Sequence, residues 1–403
     1  MPLVRRPLLS LFIMSIGKMS IIFFCICCSL LGCNTTSTAT RNELKCNLRF
    51  ERNRLIVTAM LPDSTAMECE FDSGCINGYA NIDSMLLKKV KHIQYESDYT
   101  NNSMLLNVGG YPLKYKCFIN NYTKPLIGLH CKDSLQRWSV DIANSNISPI
   151  PNDSVLNICG YQTFPLQVVY GLLPVVEIPI ILYKGDKKYS FRRSFLVDTG
   201  TPSSLCITDP DIELLNFIND IPHCKYKDVL TDDFNRQGRK RTYSRFILDS
   251  VAIFNCTIGK ASCQVDVGVR SANKEFGGNV IGMVGMGVLK NFNIIFDYQN
   301  SQLLLAPHGI DMPFYEQAEN SLGFTYSDKL RVSFIELGHN AQKAGLKPGD
   351  MILSINDIPL TELQNITLMD SIRNLPNGTQ VRLKISRDDK VLDINYISNL
   401  SLK

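Results

Sequence analysis

Three short elements occur twice in this chain in the same order, and that repeat restricts the fold more than any other feature. Phe71-Asp72-Ser73-Gly74 returns as Val197-Asp198-Thr199-Gly200, and Ile127-Gly128-Leu129 returns as Val284-Gly285-Met286. The third element, Val140-Asp141-Ile142-Ala143-Asn144-Ser145, returns as Phe296-Asp297-Tyr298-Gln299-Asn300-Ser301. The step from the glycine of the second element to the aspartate of the third is 13 residues in one copy (128 to 141) and 12 in the other (285 to 297). Those two elements therefore belong to one near-rigid unit. The step from Asp72 to Gly128 is 56 residues and that from Asp198 to Gly285 is 87, so the second copy carries the longer insertion. Two copies of one supersecondary unit predict two similar lobes.

The lobes are expected to be mainly β. Short apolar runs such as 54–60, 115–119, 175–183 and 303–305 are separated by Gly, Pro, Asn and Asp, which is strand-and-turn spacing. A composition of 45% hydrophobic and 20% charged residues over 403 positions is that of folded domains, two or three at this length. The formal charge of +4 is small, and aromatic residues are not interleaved with Lys and Arg as in a nucleic-acid groove, so nucleic acid is not an expected partner. The most basic stretch, residues 236–245, contains Gly238 and lacks an apolar period. It reads as a solvated hairpin tip.

Asp72 and Asp198 are the candidate catalytic residues. Asp followed by Ser or Thr also occurs at Asp63, Asp83, Asp133, Asp153, Asp249 and Asp370, but only Asp72 and Asp198 have Gly next, and each follows an apolar stretch. Hydrolysing an amide without a metal or covalent intermediate needs a base for water and an acid for the carbonyl oxygen or amine. Two close carboxylates supply both, because they cannot both ionise cheaply and so share one proton. Gly74 and Gly200 allow a tight backbone turn that aims N–H groups at the carboxylates, and Ser73 and Thr199 add hydroxyls able to bond across the lobe boundary. Turn capping alone also suits Asp-Ser-Gly and Asp-Thr-Gly, but it does not explain why the other two elements recur with them.

On these motifs the region 44–307 resembles aspartic peptidases of the retropepsin and pepsin type. The second copy, FLVDTGTPSS followed by IGMVGMGVLKNFNIIFDYQNSQLLLA, is the closer match; the first, FDSGCINGYAN, places Cys75 where a small Ala or Ser is usual. The resemblance implies a bilobal acid-protease-like fold, an aspartic endopeptidase activity without cofactor or metal, and a peptide or protein substrate. It also implies a flap over the substrate, for which 100–110 and 234–243 are candidate segments. No HExxH, GxSxG or phosphate-binding glycine loop competes with this reading, and His130 beside Cys131 reads as a core or surface pair rather than a catalytic set.

The N-terminus carries its own message. Arg5, Arg6 and Lys18 precede an apolar run of about 13 residues, 19–31, too short to span a bilayer as a helix but suited to a signal-peptide core. It ends in Leu30-Leu31-Gly32-Cys33, which resembles the lipobox of bacterial lipoproteins and implies lipidation at Cys33 and a membrane anchor in the bacterial envelope, on the periplasmic or cell-surface side. The ten cysteines after Cys33 contain no CxxC, which argues against a zinc knuckle or thioredoxin-like site, while an exported location permits disulfides.

After a polar stretch containing Pro313 the pattern changes again. Ser321-Leu322-Gly323-Phe324 and Ala344-Gly345-Leu346-Lys347-Pro348-Gly349-Asp350 followed by ILSIND resemble a PDZ domain. The resemblance implies that Leu322, Gly323 and Phe324 belong to a loop gripping a peptide C-terminus while the following strand pairs with the peptide. Within the module a helix over 363–375 and a hairpin turning at Asp388-Asp389 are expected.

The expected division is a signal peptide over 1–33, a tether over 34–43, lobes over 44–155 and 156–307, a linker over 308–320 and the PDZ-like domain over 321–400. The expected function is that of an aspartic endopeptidase, the alternative being a peptide-binding envelope lipoprotein that keeps the fold without activity.

Overall fold

The structure is a computed structural model that describes residues 46–398 apart from 52, 76–77, 84–102, 121–124, 132–134, 170–172, 231–238, 268–279, 315–321, 327–328, 361–374 and 377. The signal, tether and Cys33 lie outside the described residues, as do most of the 363–375 segment and residues 100–102 and 234–238 of the flap candidates.

The described chain is mainly β. The first repeat copy runs through β1 (Cys46–Glu51), β2 (Arg54–Met60), β3 (Ala66–Asp72), β4 (Tyr79–Asp83), β5 (Ser103–Val108), β6 (Tyr111–Asn120), β7 (Leu126–Gly128), β8 (Arg137–Asp141) and β9 (Asn146–Ile150). β10 (Gln162–Val169) leads to the second copy: β11 (Leu173–Lys184), β12 (Lys187–Val197), β13 (Leu205–Ile207), helix α1 (Ile212–Asn219), β14 (Cys224–Leu230), β15 (Arg239–Ile253), β16 (Cys256–Asp266), β17 (Val280–Val284), helix α2 (Met286–Leu289), β18 (Phe292–Asp297) and β19 (Gln302–Pro307). Period-two burial explains these strands: along β11, Ile178, Ile180 and Leu182 are buried while Glu177 and Pro179 face solvent.

The same pairings recur in both copies. β3 runs parallel to β7 with Asp72 opposite Gly128, and β12 runs parallel to β17 with Val197 opposite Val284. β4 lies parallel to β6 and antiparallel to β7; β13 lies parallel to β16 and antiparallel to β17. The first two repeat elements thus sit side by side in each copy. The third elements pair with each other, since β8 and β18 are antiparallel with Trp138 opposite Phe296 and Val140 opposite Ile294. Their turns are twins. Asp141 accepts from the amide and side chain of Asn144 at 3.1 and 2.8 Å, and Asp297 accepts from those of Asn300 at 3.0 and 2.7 Å. Ser145 and Ser301 close the two turns with φ of 52° and 54°.

β8 and β18 are the centre of a shared sheet in the order β1, β9, β8, β18, β19, β10. Beneath the first aspartate Phe71 packs on Trp138 with ring centroids 5.6 Å apart, both fully buried. Truncating either to Ala costs about 3–5 kcal/mol in a core of this kind.

The C-terminal part contains β20 (Leu322–Tyr326), β21 (Leu330–Glu336), the short helix α3 (Asn340–Lys343), β22 (Met351–Ile355), β23 (Ile358–Pro359), β24 (Gln380–Arg387) and β25 (Lys390–Ile397). It has its own core of Leu330, Val332, Ile335, Leu346, Ile352, Leu383 and Ile385 among others. Buried Asp350 ties the loop before β22 to β24, accepting from Arg387 Nε and Nη2 at 2.6 Å each and from the Lys347 amide at 2.8 Å. Asp388 and Asp389 turn the β24–β25 hairpin with φ of 49° and 59°.

Two features depart from the sequence reading. Residues 239–245 of the basic stretch form the first part of β15, one arm of a hairpin with β14, and Arg245 is buried, while 236–238 lie outside the described residues. Beyond the expected linker the C-terminal part is joined to the rest by strand pairing, β21 running antiparallel to β14 with Tyr226 opposite Glu336 and Asp228 opposite Phe334.

Candidate active site

Asp72 ends β3 and Asp198 directly follows β12, so two parallel strand pairs bring the two carboxylates to one place. The Asp198 amide donates to Val284 O at 2.9 Å, continuing the β12–β17 ladder into the loop. The loops bind each other. The Ser73 amide donates to Thr199 Oγ1 at 2.8 Å, and the Thr199 amide donates to Ser73 Oγ at 3.0 Å. Ser73 Oγ donates to Val197 O at 2.7 Å, and Thr199 Oγ1 donates to Phe71 O at 3.0 Å. All four groups are buried, where such bonds are costly to leave unmade.

The glycines act on both carboxylates at once. Gly74 and Gly200 each donate their amide to Oδ1 of the aspartate two residues before, at 2.8 Å in both loops. Each also lies against the opposite aspartate: a Cβ on Gly74 would stand 2.6 Å from Asp198 Cγ, and one on Gly200 would overlap the Asp72 carboxyl in the same way. Only a residue without a Cβ lets the carboxyl groups approach this closely.

The Asp72 carboxyl hydrogen-bonds that of Asp198, and its proton is held well above the ordinary carboxylate range. Burial is the largest cause, followed by the Asp198 charge and the bond to it; the Gly74 amide opposes the shift and Glu70 adds to it. Two carboxyls this close, one of them held toward its protonated form, can supply an acid and a base a hydrogen bond apart.

Thr201 was not singled out from the sequence. Its Oγ1 donates to Asp198 Oδ2 at 2.6 Å and its amide approaches Oδ1 at 3.2 Å, so Asp198 accepts three bonds within its own loop. The matching position in the first copy is Cys75, whose amide donates to Asp72 O at 3.2 Å. The difference between the fourth residues, Cys75 and Thr201, was the available signal. Asn53 and Lys290 were also missed. Asn53 Nδ2 donates to Pro202 O at 2.9 Å, and buried Lys290 donates to Asn53 Oδ1 at 3.3 Å and Pro313 O at 2.5 Å. Burial pushes the Lys290 ammonium down to about 8.

Among the described residues no group of three or more His, Cys, Asp or Glu side chains is placed to hold a metal ion. His130 and Cys131 are buried, with His130 Nε2 on Lys114 O at 3.0 Å and the thiol pushed up by burial. Of the flap candidates, the described part of 100–110 is β5, whose Met104, Leu106 and Val108 face the core, and its turn; the described part of 234–243 is in β15.

Leu322, Gly323 and Phe324 open β20, where the register against β21 shifts between Gly323 and Phe324. Among the described residues β20 has a strand partner on one side only, β21.

A protein from Nostoc sp. (strain PCC 7120 / SAG 25.82 / UTEX 2576), whose name places it with the zinc metalloproteases, is 36% identical over 121 residues. That stretch is 28% of this chain, and the chain spans 29% of the length of that relative. Among solved structures the aspartic proteinase from Irpex lacteus aligns with a TM-score of 0.43 at 11% identity, covering 67% of this chain and 98% of that one. The PDZ domain family model matches residues 314–386, so the chain carries a PDZ domain over β20 to β24.

Proposed function

We propose that the chain is an aspartic endopeptidase in which Asp72 and Asp198 activate water, and that its two β lobes form an acid-protease-like bilobal fold over 44–155 and 156–307. One observation carries the reading: two carboxyl groups packed against each other in loops whose hydroxyls and glycines each complete the other. Turn capping alone demands no such reciprocity. In the proposed step a water between the carboxyls gives its proton to Asp198 while its oxygen bonds to the scissile carbonyl carbon. Asp72 gives its proton to the carbonyl oxygen; when the resulting diol collapses, Asp198 passes its proton to the leaving nitrogen, a diol hydroxyl returns a proton to Asp72, and the C–N bond breaks. Ser73, Gly74, Thr199 and Gly200 hold the geometry, and Thr201 orients the base.

The PDZ domain supports a peptide or protein partner, and we assign Leu322, Gly323 and Phe324 to capture of a C-terminus, a role the family's peptide-binding mode suggests. The basic, apolar and Gly-Cys order ahead of Cys33 supports a lipid anchor in the bacterial envelope.

The test is cleavage of a peptide library by wild type, Asp72→Asn and Asp198→Asn, each with and without a chelator. Loss in both variants and indifference to chelation are expected. Retained turnover in either pure variant overturns the mechanism. A folded wild type that binds peptides but cuts none leaves the chain a binding protein.

A further inference from the structure

The pairing of β14 with β21 puts the PDZ domain and the peptidase candidate in one hydrogen-bonded sheet. The Leu337 amide donates to Lys225 O at 2.8 Å, extending the register in which Lys227 faces Ile335. On the far side of β21 lies β20, with Leu322 opposite Ile335, so a peptide strand added to β20 would stand two strands from β14. In the other direction β14 pairs with β15, β15 with β16 and β16 with β13. β16 reaches the loop after Asp198 directly: the Ser262 amide donates to Ser204 Oγ at 3.1 Å and the Ser204 amide to Ser262 O at 3.0 Å. Ser204 O in turn accepts from the Gly285 amide at 3.1 Å, beside the strand that carries Asp198.

Glu336 is buried at the end of β21, and its Oε2 has no hydrogen-bond partner among the described residues. Its carboxylate takes a bond from the Cys224 thiol of β14, and Arg245, opposite Cys224 on β15, is close enough to act on the same thiol. A buried carboxylate short of partners is costly to keep. A ligand that binds one arrangement of this strand pair more tightly than another shifts its population by that difference in affinity.

We propose that a free peptide C-terminus bound along β20 regulates turnover at the Asp72/Asp198 pair by setting the β14–β21 pairing, and with it the β14–β15 hairpin. The PDZ domain is on this account a regulatory input as well as a docking site. The proposal rests on the peptidase reading, and its test separates the two.

The protein is the full mature chain, and the substrate is a short fluorogenic peptide with an amidated C-terminus, which cannot use a carboxylate-gripping loop. The probe is a pool of peptides with four random C-terminal residues and free carboxylates; the same pool amidated is the control. Binding of the free pool is expected to change kcat/KM for the amidated substrate about fivefold or more, a typical coupling between sites. It is also expected to slow hydrogen exchange in 224–230 and 239–253. Lys227→Pro removes an amide on the edge that faces β21, since alternate residues share an edge with Lys225. It should abolish the response while leaving pool affinity within about twofold, as the strands of the groove are untouched. Should that variant not fold, Glu336→Gln removes the buried charge, favours the closed pair and should blunt the response. A pool that does not bind, or that binds without changing turnover of an active wild type, overturns the proposal, as does an undiminished response in Lys227→Pro. If wild type and Asp198→Asn are equally inactive, the peptidase reading fails instead, and the exchange measurement alone decides whether the PDZ groove communicates with β14 and β15.

Discussion

Ser73 and Thr199 bond each other in both directions across 126 residues of chain, the amide of each donating to the hydroxyl of the other. Each hydroxyl then donates to the strand that carries the opposite aspartate, Ser73 to Val197 and Thr199 to Phe71. Neither loop has its full set of bonds alone, so the two halves of the candidate site are energetically one object.

A Thr199→Val substitution keeps the shape but strips both of these roles, leaving the Ser73 amide and Phe71 O unpaired in a buried setting. It should destabilise by about 1–3 kcal/mol per orphaned group at most. Paired with Ser73→Ala in a double-mutant cycle, denaturant unfolding should give a coupling of about 1 kcal/mol or more. Additive losses would show that the reciprocal bonds act independently.

Gly200→Ala and Gly74→Ala act differently, because each new methyl displaces the carboxyl of the other copy's aspartate. Cleavage should fall by about 100-fold or more, since a misplacement of about 1 Å costs that much. Circular dichroism and thermal melting should change little. Near-wild-type kcat in either variant would place the reacting carboxyls elsewhere.

The raised Asp72 proton makes opposite predictions for activity and stability. On the proposed mechanism turnover needs Asp72 protonated and should decline as pH rises through its raised value. In stability, a carboxyl whose folded value lies above the unfolded 3.8 favours folding below 3.8, and that contribution is lost as pH rises through the folded value. Asp72→Asn removes this dependence, so the variant should be inactive and yet melt higher than wild type at neutral and alkaline pH. An Asp72→Asn melting curve parallel to wild type at every pH would contradict the shift.

For Lys290 the sign is reversed. Its folded value is depressed to about 8 from 10.5, so the unfolded chain holds the proton more tightly over that interval. Stability from this group is present above 10.5 and is lost as pH falls through about 8. Lys290→Met, which fits the buried site without the charge, should flatten that part of the stability-against-pH curve measured by urea unfolding. It should also weaken the link from Asn53 to the 310–313 segment, whose Pro313 carbonyl accepts from the ammonium.

The repeat made the strand-loop elements legible because identical chemistry at matching positions leaves a trace in one sequence. Those three elements are the segments that the structure pairs, β3 with β7, β12 with β17 and β8 with β18, although the pairing itself is seen only in the fold. The β14–β21 pairing left none, since backbone hydrogen bonds between distant strands use no particular side chain, and the polar run after Pro307 read as a linker. Arg245 and Lys290 were equally opaque: a buried cation looks like a solvated one until its partners arrive from elsewhere in the fold. Thr201 could have been found by comparing the two loops one residue further, where Cys75 and Thr201 differ.

Because Thr199, Asp198 and the strand that seats them, β17, come so late in the chain, the first 197 residues contain only half of the candidate chemistry. A nascent chain therefore carries Asp72 for more than a hundred residues as an unmatched carboxyl on an open loop. The second carboxyl has no seat beside the first until Val284 has been added and β17 has paired with β12, so chain order alone sets when the two halves of the candidate site can meet.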